Sequence, residues 1–227
     1  MAAGPVPAPA PASLWRPTGP ILVRLLAGLV LFGAGDALLV ASELGNSPWT
    51  VFAEGVSLNT PLSIGAATVV ISFVVLLLWI PLRQRLGFGT VANAVVIGVA
   101  IDATLRVLPD DPALGPRWAM LVAGIALVAL GSGFYLTAAL GPGPRDGLMT
   151  GLHRHFGISL RLARVGIELS VLATGVILGG TAGVGTLAFA LLIGPGVQLA
   201  VERLATPQWL ALTARLPAGR PEPTRAG

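Results

Sequence analysis

Shifted along itself by 96 residues, the step from Gly45 to Gly141, this chain meets its own glycines again. Gly28 falls on Gly124, Gly35 on Gly131, Gly45 on Gly141, Pro48 on Pro144 and Gly55 on Gly151. Ser63 falls on Ser159, Gly87 on Gly183, Gly89 on Gly185, Thr90 on Thr186 and Gly98 on Gly194. Coincidences of Leu, Ile, Val and Ala are cheap in an apolar sequence. Glycines and prolines at one constant offset are not, so the chain is read as two copies of one unit. The repeats are bounded at 20–110 and 117–205. Each holds three apolar runs: 21–42, 62–82 and 90–107, then 117–140, 159–179 and 183–203. Each run is near the ~20 residues that a helix needs to cross a bilayer. The third and sixth are interrupted by Gly or Gly-Pro. Three crossings per copy bring the second copy in from the opposite side. The expected fold is therefore an all-α membrane protein of six transmembrane helices. They form two inverted-topology three-helix repeats with short broken or re-entrant segments. Such repeats recur in transporters, with the site at their interface near the midplane.

Charge agrees with this placement. Charged residues make up only 11 % of the chain and mean hydropathy is +0.84, too little polarity to cover a water-soluble surface. All 14 basic residues are Arg. Arg106 and Arg117 flank the loop after the third run; the other twelve gather before the first run (Arg16, Arg24), after the second (Arg83, Arg85), around the fourth loop (Arg145, Arg154, Arg161, Arg164) and after the sixth (Arg203, Arg215, Arg220, Arg225). With six crossings these fall on one face. That predicts a bacterial plasma-membrane protein with both termini cytoplasmic. The net charge of +4 and pI near 11.2 are thus explained by topology, and no nucleic-acid partner is expected. Trp15, Trp79, Trp118 and Trp209 lie near run ends, where an amphipathic ring favours the interface. The first run is too long for a signal-peptide core and is read as retained. Residues 1–19 and 206–227 are expected to be disordered tails, the second beginning with an interfacial segment. Cysteine is absent, which excludes a disulfide framework and thiolate metal sites.

Two stretches dense in helix breakers organise the rest. Gly45-Asn46-Ser47-Pro48-Trp49 and Gly141-Pro142-Gly143-Pro144-Arg145-Asp146 share one skeleton. Pro suits the first helical turn. Ser47 is a good N-cap, and Gly143 a tolerated one. Each stretch reads as a turn leading into a short helix, about 48–57 and 144–155, too short to span. Irregular backbone at membrane depth survives only where protein or a wet cavity covers it. Arg145 and Asp146 are neighbours in sequence and do not face each other on a helix, so they are expected to have different partners. Asp146 is placed to help cap its helix. Arg145 is placed either at lipid phosphate or in a substrate or gating site.

Asp36, Asp102 and Glu168 lie within the runs, where a carboxylate is costly and faces an interior or water. Asp36, at mid-span, leads as a functional group. Asp102 follows Asn93 and aligns with Gln198. It could pair with Arg106, as Glu168 could with Arg164. The site candidates are Asp36, Pro48, Trp49, Asn93, Asp102, Gly141, Gly143, Pro144, Arg145, Asp146, Glu168 and Gln198. Gly131-Ser132-Gly133 is a weak nucleophile motif, because the only histidines, His153 and His155, lie outside the runs. No catalytic residue, metal site or cofactor is expected, and the chain is not read as an enzyme. The expected partners are the lipid bilayer and a small solute, with a homodimer as an open alternative.

The two breaker stretches, Gly87-Phe88-Gly89-Thr90 with Asn93 and Asp102, Leu178-Gly179-Gly180 with Gly183, Gly185 and Thr186, and Ile193-Gly194-Pro195 with Gln198 together resemble the YczE/YitT-like family of bacterial integral membrane proteins. The resemblance runs in order over residues 20–205. It implies a multi-pass plasma-membrane protein, and it points to Arg145 and Asp146, in the family's most distinctive motif. The expected function is a small-solute secondary transporter or permease. The rival is a membrane scaffold or regulatory protein acting through a partner.

Overall fold

A computed structural model of the chain describes residues 14–109 and 112–205. The expected tails, Trp209, Asp110 and Asp111 lie largely or wholly outside the described residues. Eight helices follow one another: α1 Gly19–Ser42, α2 Pro48–Leu58, α3 Ile64–Leu78, α4 Phe88–Leu105, α5 Leu114–Ala138, α6 Pro144–Phe156, α7 Leu160–Ile177 and α8 Val184–Leu204. No strand occurs among the described residues. The starts of α2 and α6, of α3 and α7, and of α4 and α8 each differ by 96, the offset of the glycine pattern. Four helices, α1, α4, α5 and α8, are long and apolar enough to cross a membrane. α3 has only 15 residues, about 22 Å of helix, and the 18 residues of α7 carry Arg161, Arg164 and Glu168. The Gly and Gly-Pro that interrupt the third and sixth runs do not end their helices. α4 continues through Gly98, and α8 through Gly194 and Pro195.

α1 and α5 form the centre. They cross where side chains are missing. A Cβ on Gly28 would lie 2.8 Å from Gly131 O, and one on Gly131 2.6 Å from Gly28 O. Gly35 and Gly124 stand in the same relation, at 2.8 and 2.9 Å. As numbers rise on α1 they fall on α5, so the two helices are antiparallel. Close approach through small residues is how helices associate where lipid supplies no hydrophobic drive. α4 packs on α1 and α8 on α5. Arg24 Nη2 donates to Leu204 O at 2.6 Å and Arg24 Nε to Thr137 Oγ1 at 3.0 Å. The start of α1 and the ends of α5 and α8 therefore share one end of the molecule.

The links after α1 and α5 are alike. Glu43 (φ 53°) and Ala139 (φ 54°) end the helices in the left-handed region, and Gly45 (φ 115°) and Gly141 (φ 113°) turn the chain back. Each turn is clasped by the other half: Gly185 N donates to Leu44 O at 2.7 Å, and Gly89 N to Leu140 O at 2.9 Å. Glycine is required here by conformation and by space. A Cβ on Gly45 would meet Gly183 N at 2.5 Å. α2 then packs on α7 and α6 on α3, again across the halves. Trp79 is not the interfacial anchor expected. It is 2 % exposed, with its ring against Gly147 and its Nε1 donating to Pro144 O at 3.0 Å. Trp15 and Trp118 are exposed.

One contact breaks the correspondence. α3 seals against α4, where Gly65 and Gly98 bring their backbones together. Asp102 completes the seam, accepting from Ser63 Oγ at 2.5 Å and Gly65 N at 2.8 Å at the start of α3. The equivalent place between α7 and α8 holds Arg161 and Gly194, and a Cβ on Gly194 would meet nothing within 4 Å. We expect Asp102→Ala to cost about 1–2 kcal/mol through the lost cap, seen as a lower melting temperature in detergent. Gln198→Ala, at the equivalent position, is expected to leave it unchanged. Equal effects would remove the seam from the account.

Candidate functional site

A cavity of about 250 Å³ lies between the first turns of α2 and α6. Its other walls are Phe32, Ile97, Val128 and Ile193, each close to the middle of its long helix. Residues 96 apart line it in pairs: Phe32 with Val128, Ser47 with Gly143, Pro48 with Pro144, Trp49 with Arg145, Asn93 with Phe189, and Ile97 with Ile193. The remaining lining comes from the second half, chiefly Tyr135, Asp146, Arg164 and Glu168.

Local sequence explains how the short helices point here. Ser47 caps α2, its Oγ accepting from Thr50 N at 3.4 Å and lying 2.8 Å from Thr50 Oγ1. Gly143 caps α6 without a side chain. Pro48 and Pro144 follow at the first helical position, where no N–H is needed. Two helix N-termini, each the positive end of a dipole, thus meet in one cavity. α2 is held there by Glu54. Its carboxylate accepts from Asn46 Nδ2 at 2.8 Å, Thr181 N at 2.7 Å and Thr181 Oγ1 at 2.9 Å.

Arg145 and Asp146 do find different partners. The guanidinium stacks on the Trp49 ring, 4.8 Å from its centroid, and Asp146 Oδ2 accepts from Tyr135 Oη at 2.6 Å. Asp146 therefore holds α5 rather than capping its own helix. Arg145 turns inward, away from lipid phosphate. Among the described residues no carboxylate is within ion-pair distance of it, although Asp36, Glu168 and Asp146 all act on it electrostatically. Asp36 is fully buried, and neither of its carboxylate oxygens has a hydrogen-bond partner. The Thr50 hydroxyl lies beside it, yet makes its short contact with Ser47. Trp49 Nε1, turned toward Glu168, is also unpartnered.

Of the residues singled out in the sequence, Pro48, Trp49, Asn93, Gly143, Pro144, Arg145, Asp146 and Glu168 come together in this cavity. Asp36 is not part of the lining; it is buried beside Thr50 of α2. Gly141 does not line the cavity and serves the turn. Two candidates lie elsewhere. Asp102 caps α3 instead of pairing with Arg106, and Gln198 is exposed, donating to Glu202 Oε1 at 2.9 Å. Arg164 and Glu168 do not form the ion pair weighed as an alternative, and both face the cavity. Sequence reasoning missed Phe32, Tyr135 and Arg164 as site residues. The repeat offset was the available signal, since it sets Trp49 opposite Arg145. Ser132 Oγ is turned to Val128 O at 2.7 Å, the bond of an ordinary helical hydroxyl. No group of three metal-binding side chains occurs among the described residues.

The profile of a family of unknown function, DUF6198, matches residues 21–202. An uncharacterized protein of Haemophilus influenzae is 40% identical over 205 residues, covering 90% of each chain. The uncharacterized membrane protein YczE of Bacillus subtilis is 31% identical over 188 residues, covering 82% of this chain and 85% of its own. No solved structure matches the chain.

Proposed function

The chain belongs to the DUF6198 family and is a YczE-like multi-pass membrane protein. From its central cavity we propose that it is a small-solute secondary transporter or permease built on an inverted repeat. The observation that carries this is the cavity itself. It lies midway along four long helices, between two short helices that start in the interior, and residues 96 apart line it in pairs. The antiparallel crossing of equivalent helices α1 and α5 supports inversion. α3 and α7 would complete six crossings, with their short ends in polar loops. α2 and α6 would be re-entrant, their exposed backbone covered by protein or by a wet cavity. The arginine distribution supports a reading with both termini in the cytoplasm of a bacterium. In this reading Asp36 is the coupling or proton-relay group. Arg145 and Asp146 gate the cytoplasmic entrance, and Asn93 and Ser47 offer neutral polar contacts. A scaffold needs none of this, and for it the interior would be dry and packed.

The chain has no cysteine, so single substitutions can be labelled cleanly. Cysteines at positions 49 and 145 are expected to react with a membrane-impermeant thiol reagent from one face of the membrane. Their rates should change with pH or with added solutes. Unreactive thiols at both positions, from both faces, would overturn the transporter reading and leave the scaffold.

A further inference from the structure

The seam that closes α3 on α4 is missing between α7 and α8, and the sequence keeps it from forming. Gly65 is replaced by Arg161, and Asp102 by Gln198, which turns to Glu202. A crevice of about 510 Å³ remains, walled by Val165, Leu169 and Leu172 of α7 and by Leu187 and Ile193 of α8. It shares Pro48, Arg164, Glu168, Phe189 and Ile193 with the central cavity, so the two adjoin. Along α7, Arg161, Arg164 and Glu168 recur at spacings of three and four and form one stripe. The steps are about 4.5 and 6 Å, from the end of the helix to mid-height. Val165, Leu169 and Leu172 form the apolar stripe beside it. Arg161 and Arg164 are exposed, and neither forms an ion pair within the described chain. Unpaired arginines beside an apolar crevice on a lipid-facing helix are costly unless an anionic group meets them.

We propose that this crevice binds an anionic amphiphile. Its phosphate or carboxylate head is held by Arg161 and Arg164 at the mouth of the central cavity, and its acyl chain lies between α7 and α8. The charge fits the head, and the apolar walls fit a chain that a free solute lacks. This names an amphiphile in place of a free solute as the substrate class, and rests on the reading of the central cavity as a transport site. Binding is separable from transport.

The test is native mass spectrometry of the full chain in detergent, titrated with dioleoyl phosphatidylglycerol, dioleoyl phosphatidylcholine and glycerol phosphate. Phosphatidylglycerol is expected to give a one-to-one adduct. That adduct should be roughly tenfold weaker in Arg164→Gln and absent in Leu169→Trp, which fills the crevice. Both positions are exposed, so both variants should melt like the parent. Equal adducts in parent and both variants would overturn the proposal, as would phosphatidylcholine binding equally well. Glycerol phosphate binding as tightly in Leu169→Trp as in the parent would replace the amphiphile by a soluble anion. Solute flux with no lipid adduct would leave transport standing and the amphiphile refuted. An adduct without flux would do the reverse.

Discussion

In reconstituted vesicles, Asp36→Asn is expected to lower proton-coupled flux by at least about 10²-fold while leaving the protein folded. The two halves of that expectation come from different observations. Asn has the shape of Asp, and Asp36 is buried beside Thr50 of α2 with neither oxygen hydrogen-bonded. Removing its charge therefore breaks no bond and relieves a buried group of a desolvation cost. A structural carboxylate would behave otherwise. Glu54 accepts three hydrogen bonds, and Glu54→Ala would leave all three donors without their acceptor. Its loss should appear in the melting temperature first. Flux and melting temperature together separate the roles. Lost flux at an unchanged or raised melting temperature assigns Asp36 to coupling. Parental flux in Asp36→Asn removes it from the mechanism, and the cavity would have to work through Arg145 and Glu168 alone.

Arg145 was the more ambiguous residue in the sequence. A cation in the first turn of a helix is disfavoured by the dipole, and anchoring to lipid explained it cheaply. The repeat held the better answer, because its offset sets Arg145 against Trp49. In the fold the Arg145 guanidinium lies over the Trp49 ring. What the sequence could not supply was which half each element would pack against. The turns, the short helices and the glycines of α1 and α5 all find partners in the other copy. A pattern that repeats along the chain is silent on exchange across it. Helix starts were legible because Ser-Pro and Gly-Pro mark them locally. Trp79 was misplaced for the converse reason. A ring near the end of an apolar run satisfies the interfacial rule, and only the hole left by Gly147 shows that it is buried. Asp102 and Gln198 were weighed as one equivalent pair, yet their chemistry differs enough to seal one seam and leave the other open.

That exchange predicts a large contrast between two glycines in long helices. Gly131→Ala is expected to destabilise the protein by on the order of 3 kcal/mol, or to prevent its recovery folded. Its Cβ would stand 2.6 Å from both Gly28 O and Phe32 N, backbone atoms that no rotamer change can move aside. Relief requires α1 and α5 to separate along their whole crossing, and with them the Gly35–Gly124 contact. Gly194→Ala is the control. It adds the same methyl group and has the same helix-propensity gain of up to about 1 kcal/mol. Its Cβ meets nothing within 4 Å, so it should melt at or above the parent temperature. Gly35→Ala should behave like Gly131→Ala, since each stands in the equivalent place of the other copy. Thermal unfolding in detergent, followed by size exclusion for aggregation, reads all three. If Gly131→Ala and Gly194→Ala melt alike, the crossing of α1 on α5 is not what holds the two halves together, and the case for a site between inverted repeats loses its frame. If Gly131 and Gly35 fail together while Gly194 does not, the central crossing is the fixed axis on which the cavity depends.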